Sequence, residues 1–169
     1  MRFMILVKAT KASEAGALPD EQMLSAMMKF NEELAKAGII QAADGLKPSN
    51  AGKRLTFTDN GYASVIDGPF AETKELVAGF WIWEVKSLDE AVNWAKRCPN
   101  PMPGEEGVLE IRPFYEMADF EHLMTDEIRE REGRVRKIVE RQQKPKVKAK
   151  GKAKAKPAKR KPTRAKSKK

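Results

Sequence analysis

The chain has 169 residues, 41% hydrophobic and 34% charged, with a formal net charge of +9 and one cysteine. A single cysteine excludes an internal disulfide, which fits a reducing cytoplasm. The longest uncharged apolar run, the eight residues Leu76 to Trp83, falls far short of the roughly 20 that span a bilayer.

The apolar residues Phe3, Ile5 and Val7 alternate with Met4 and Leu6, the pattern of a central strand covered on both faces. Met1 to Val7 is too short, and ends too soon in Lys8, to read as a secretory signal. Between Asp20 and Ala37 the residues Met23, Met27, Phe30 and Leu34 recur at helical spacing, and Gly38 supplies a left-handed helix end. Ile39 and Ile40 open a second strand that runs toward Leu46 and stops at Pro48. Lys53 to Thr58 and Tyr62 to Ile66 form a hairpin joined through Asn60-Gly61, a pair that tolerates positive φ. Leu76 to Lys86 is a further apolar strand, with Phe80 and Ile82 on one face and Trp81 and Trp83 on the other. Ser87-Leu88-Asp89-Glu90 is a capping box opening a helix that buries Leu88, Ala91, Val92 and Ala95 and stops at Pro99. Val108 to Tyr115 makes the last strand, with Leu109 and Ile111 opposite Glu110 and Arg112. The order is α+β and ferredoxin-like, an antiparallel sheet with two packed helices and an added hairpin strand.

A C-terminal helix is expected from Asp119 to Gln143. It carries opposite charges four apart, Glu127 with Arg131, Glu130 with Arg134 and Glu132 with Arg136. Its apolar stripe is partial, so it reads either as a solvated connector or as a helix that docks on a partner subunit. Beyond it, residues 144–169 hold 14 of the 33 Lys and Arg and no acid, which leaves residues 1–143 with a net charge of −5. This Lys, Ala and Pro-rich tail has too little apolar bulk to offset the entropy of ordering, and it reads as disordered. The domains are thus 1–120, an α+β body; 121–143, a charged connector helix; and 144–169, a basic tail.

Asp67-Gly68-Pro69-Phe70, continuing into Ala71-Glu72-Thr73-Lys74-Glu75, and Gly79-Phe80-Trp81-Ile82-Trp83 resemble the DGPF-domain proteins of the YCII-related superfamily. Further matching stretches are Arg2 to Ala9, Asn31-Glu32-Glu33-Leu34, Cys98-Pro99-Asn100-Pro101 and Gly104-Glu105-Glu106-Gly107, so the resemblance covers about Arg2 to Phe120. It implies a small α+β domain that pairs into a homodimeric barrel, in a family whose activity is mostly unassigned. Similar sequences often carry His where this chain has Lys47 and Met102. Other members of the superfamily have been proposed to work through a His and Asp pair, yet the one histidine here, His122, lies beyond the matching region.

The candidate catalytic residues are Asp67 and Glu72. Asp67 reads as an Asx-type turn residue held by Gly68-Pro69, or as a carboxylate presented at a cavity mouth as general base or ligand anchor. A cavity enclosing Asp67 or Glu72 would raise its pKa toward neutrality and suit it to proton abstraction. Lys47, Lys74 and Arg112 are available cations for an anionic ligand, or surface charges. Phe70 and Trp81 are candidates to line an apolar pocket, though a tryptophan-rich strand is more often core or dimer contact. Cys98 reads as an inert buried thiol and His122 as exposed. Neither a Cys and His cluster nor a glycine-rich phosphate loop is present, so no metal or cofactor is expected.

The tail resembles those of linker histones and some bacterial nucleoid proteins. Lys146, Lys148, Lys150, Lys152, Lys154, Lys156, Lys159, Arg160, Lys161 and Arg164 form a polyelectrolyte partner for nucleic acid. Without aromatic residues for stacking, such binding is indifferent to sequence. The alternatives are a solubility tail and attraction to anionic lipid. The chain is therefore expected to be a cytoplasmic, nucleoid-associated homodimer with a small-molecule cleft between the first helix and the sheet, tethered to nucleic acid. Two alternatives stand beside it: an acid/base enzyme using Asp67 or Glu72, and a dimerisation scaffold for the tail.

Overall fold

The structure, a computed structural model, describes residues 1–143. The cations expected to meet nucleic acid, Lys146 to Arg164, lie outside the described residues. Met1–Asp119 form one compact unit and the chain from Phe120 a second. No helix among the described residues is long and apolar enough to cross a membrane.

Four strands make the main sheet of the first unit: β1 (Arg2–Lys8), β2 (Ile40–Gly45), β5 (Val77–Glu84) and β6 (Leu109–Pro113), in the order β2-β5-β1-β6 and antiparallel throughout. The antiparallel sheet is the one expected from the sequence, and its order β2-β5-β1-β6 is ferredoxin-like. The remaining two strands, β3 (Lys53–Thr58) and β4 (Gly61–Asp67), correct one expectation, because they add no strand to this sheet and pair only with each other. Pro48 lacks the N–H that continued pairing needs, and the tight turn Ser49–Ala51 turns the chain away from the sheet edge. The hairpin's two-residue turn is Asp59-Asn60, with Gly61 opening β4 at φ 102.

Period-2 alternation sorts the side chains into two faces. Phe3, Ile5, Val7, Trp81 and Trp83 are buried together with Phe30, Leu34 and Ala91. The ring of Phe30 meets both tryptophans edge-on, with centroids 6.4 Å from Trp81 and 6.2 Å from Trp83. That core lies under two helices, α2 (Glu21–Lys36) and α3 (Leu88–Ala95). Met4, Leu6, Phe80 and Ile82 take the opposite face and are partly buried. The sequence predicts cover on both faces of β1, whereas the helices of this unit cover only one.

Asp20 caps α2 by accepting from the Met23 amide at 2.7 Å, and Gly38 ends it at φ 71, where the Ile39 amide donates to the Leu34 carbonyl. A short helix not expected from the sequence, α1 (Lys11–Glu14), precedes it and is opened by a reciprocal Thr10 and Ser13 capping box. At α3 the Ser87 hydroxyl accepts from the Glu90 amide, but the Glu90 carboxylate reaches past Ser87 to the Lys86 amide at 2.8 Å. Leu88, expected inside, is about half exposed because it is the first helical residue, at the entry to the helix; Ala91 is the fully buried position.

The helix expected from Asp119 begins later. Met117–Leu123 is a 3-10 turn, and α4 (Asp126–Gln143) starts after Thr125, whose hydroxyl accepts from the Ile128 amide. The three expected ion pairs of α4 all form, at 3.2, 3.5 and 2.7 Å. Each is solvent-exposed, so each contributes little.

Candidate functional site

The sequence motif and the cavity of this domain occupy different places. At the motif, Gly68 follows β4 and is joined to Pro69 by a cis peptide bond. The Gly68 amide donates to the Gly52 carbonyl at 3.1 Å, and the Phe70 amide to the Ser49 hydroxyl at 3.1 Å. Ser49 in turn gives its own amide to the Glu14 carboxylate at 3.1 Å and its hydroxyl to the same group. A Cβ on Gly68 would stand 1.8 Å from the Ser49 carbonyl oxygen, so this close approach admits only glycine. Phe70 is partly buried and carries the Arg54 guanidinium over its ring, 4.2 Å from the centroid. These residues fasten the hairpin base to the Ser49–Ala51 turn and to α1.

The two carboxylates proposed from sequence lie here. Asp67 has a side chain that is 74% exposed and ion-paired with Lys53. Glu72 is also exposed and has a left-handed backbone, φ 63. Lys74 belongs to the 3-10 turn Thr73–Glu75. Arg112 sits on edge strand β6, beside Met4 on β1, and is loosely paired with Glu110 at 3.9 Å.

Between α2 and the sheet lies a cavity of about 740 Å³. It opens where Gly45 of β2 and Gly79 of β5 face each other, so that no side chain fills the layer between helix and sheet there. The Gly79 position is tight as well, since a Cβ would come 3.1 Å from the Asp44 carbonyl oxygen. Leu24, Met27 and Asn31 of α2 form one wall, Trp81 the floor, and Met102 part of the far side. Asp44 and Lys47 stand exposed at the mouth. Trp81 is both core and cavity lining: it is 5% exposed and its indole donates to the Asn31 side-chain oxygen at 2.8 Å.

Of the candidate residues, Lys47 and Trp81 therefore meet in one cleft; Asp67, Glu72, Phe70 and Arg112 are not among its lining. The lining does include both Lys47 and Met102. Asn31 escaped the sequence reading as a site residue, since its only signal was membership in a matching stretch. Cys98 is partly buried, and burial pushes its thiol up to about 11, consistent with an inert group rather than a nucleophile.

The fold and cleft define a ferredoxin-like α+β domain with a small-molecule-sized cavity between helix and sheet. The family model of the YCII-related domain matches residues 1–118, and the chain belongs to that family. It is 35% identical over 95 residues to "Uncharacterized protein R00369" of Rhizobium meliloti (strain 1021), a match covering 56% of this chain and 75% of that protein. Among solved structures it is similar to 5-chloro-2-hydroxyhydroquinone dehydrochlorinase (TftG) from Burkholderia phenoliruptrix AC1100, in complex with 2,5-dihydroxybenzoquinone. That likeness has a TM-score of 0.39 and 19% identity, covering 69% of this chain and 95% of the other.

Proposed function

We propose that this chain is a DGPF-type, homodimeric member of the YCII-related family that binds a small, largely apolar molecule in the cleft between α2 and the sheet, and that its basic tail tethers it to nucleic acid. The observation that carries the binding reading is the cleft itself, about 740 Å³ and walled by Leu24, Met27, Trp81 and Met102, with four charged residues, Asp20, Asp44, Lys47 and Glu105, also in its lining. Binding is favoured over acid/base catalysis by Asp67 or Glu72 because both carboxylates are exposed at the hairpin base and neither lines the cleft. The homodimer draws support from the sheet face carrying Met4, Leu6, Phe80 and Ile82, an apolar surface that neither α2 nor α3 covers. For the tail, support comes from its 14 cations without an acid.

The test is a titration with 1-anilinonaphthalene-8-sulfonate, an apolar anion suited to the cleft and to Lys47. One saturable site per chain is expected, abolished by Leu24→Glu, a half-exposed wall position where the fold loses little. Equal binding by the variant would reject the cleft reading and leave the dimerisation scaffold as the function of the body.

A further inference from the structure

The uncharged polar side chains of the cleft narrow the kind of molecule that fits. An indole N–H can only donate, so the atom 2.8 Å from Trp81 Nε1 has to be the Asn31 oxygen, which fixes the orientation of that amide. The bond occupies Oδ1 and leaves both N–H groups of Nδ2 without an acceptor among the described residues. They are not sealed in the core, because the one buried side-chain polar atom found unpartnered among the described residues is Trp83 Nε1. Asn31 is partly buried and lines the cleft.

The other uncharged polar side chains of the lining, Thr10 and Ser13, are already engaged. The Ser13 amide donates to the Thr10 hydroxyl, the Thr10 amide to the Ser13 hydroxyl, and the Ser13 hydroxyl to the Thr10 carbonyl, at 2.9 to 3.3 Å. The Thr10 hydroxyl points its hydrogen toward the Met102 sulfur at 3.8 Å. Ionised, the side chains of Asp20, Asp44 and Glu105 accept and do not donate. Two lining side chains therefore keep spare donors: Lys47 at the exposed mouth and Asn31 beside the buried indole.

We infer that Asn31 is the specificity-determining donor of the cleft, held by Trp81, and that the molecule it selects presents a carbonyl or carboxylate oxygen to it from an otherwise apolar body. This rests on the cleft reading above. A ligand lacking an acceptor would strip water from the two Asn31 N–H groups and return nothing, so it binds more weakly than its oxygen-bearing counterpart.

The experiment compares acetophenone with isopropylbenzene, neutral molecules of nearly the same shape that differ in one acceptor oxygen, using ¹⁵N-resolved NMR of the full-length chain. Acetophenone is expected to bind about tenfold more tightly and to move the Asn31 side-chain amide resonances. Asn31→Asp keeps an oxygen for Trp81 but replaces the donor, and it is expected to bring the two affinities together while the Trp81 indole resonance stays in place. Equal affinities in the wild type, or a preference that survives in Asn31→Asp, would overturn the assignment and leave the cleft standing. If neither molecule moves a cleft resonance, the cleft reading falls and this inference with it. The wild-type comparison decides the matter even where the variant does not fold.

Discussion

Gly68 and Ser49 meet backbone to backbone, with a Cβ at position 68 reaching 1.8 Å from the Ser49 oxygen and 2.6 Å from its carbonyl carbon. Neither atom is the end of a flexible side chain, so relief requires the hairpin base to part from the turn beneath it. Gly68→Ala is expected to cost about 3 kcal/mol, seen as a lower midpoint in urea unfolding. A loss below about 0.5 kcal/mol would mean that the base yields freely and that the close approach has no role in selecting glycine.

Ser49 is the hub of that junction, because its hydroxyl both accepts from the Phe70 amide and donates to Glu14. Ser49→Ala leaves a partly buried amide without its acceptor and removes one bond from the carboxylate. The expected cost is about 1 to 3 kcal/mol, with faster hydrogen exchange at Phe70 than at the strand amides of β5. Unchanged exchange at Phe70 would refute the hub.

These two contacts also mark the limit of what the sequence shows. The alternation in β1 and β5 assigns Trp81 and Trp83 to the core and Phe80 and Ile82 to the other face, because strand period is a local property. The turn at Gly68-Pro69 is legible for the same reason. Its partner is not: Ser49 lies 21 positions before Phe70, and no spacing rule joins them. The same holds for the cleft, which depends on Gly45 facing Gly79 in one register of β2 on β5, and for Asn31, whose orientation comes from an indole 50 positions away. Asp67 and Glu72 attracted attention as carboxylates in a matching motif, but burial decides whether a carboxylate is a base, and burial is a tertiary property.

Cys98 offers a check on burial that needs no ligand. Desolvation disfavours the thiolate and raises the thiol from its ordinary value of 9.0 to about 11. The folded state therefore holds this proton more tightly than the unfolded chain does, and the stability so gained is present below pH 9 and lost as pH rises toward 11. At pH 8 the native thiolate fraction is about 100-fold below that of an unhindered cysteine. Alkylation by iodoacetamide should be slower by a similar factor and recover in urea. Equal native and denatured rates would show the thiol to be accessible.

The sheet face opposite the helices gives the proposed homodimer a specific test. Leu6 and Phe80 are direct neighbours across β1 and β5, and both lie on that face. Leu6→Glu with Phe80→Glu places two like charges side by side, a cost that grows when the face is covered by a second copy. Light scattering on the full chain is expected to give a dimer for the wild type and a monomer for the double variant, with circular dichroism unchanged. A variant that stays dimeric would place the interface elsewhere.

The tail is tested by salt rather than by affinity alone. If about half of its 14 cations displace counterions from duplex DNA, log affinity falls against log salt with a slope near −6, since each phosphate contact contributes about −0.9. Cutting the chain after Gln143 removes those cations and leaves a body of net charge −5, which duplex DNA repels. The cut protein should therefore show no retention at any salt concentration, and the full chain should show the steep slope without preference for base sequence, because no aromatic side chain is present in residues 144–169 to stack on bases. Equal retention of both forms in a gel shift at low salt would place the binding surface in the body. A slope near zero for the full chain would show that the contact is not electrostatic, and either result removes nucleic-acid tethering by the tail.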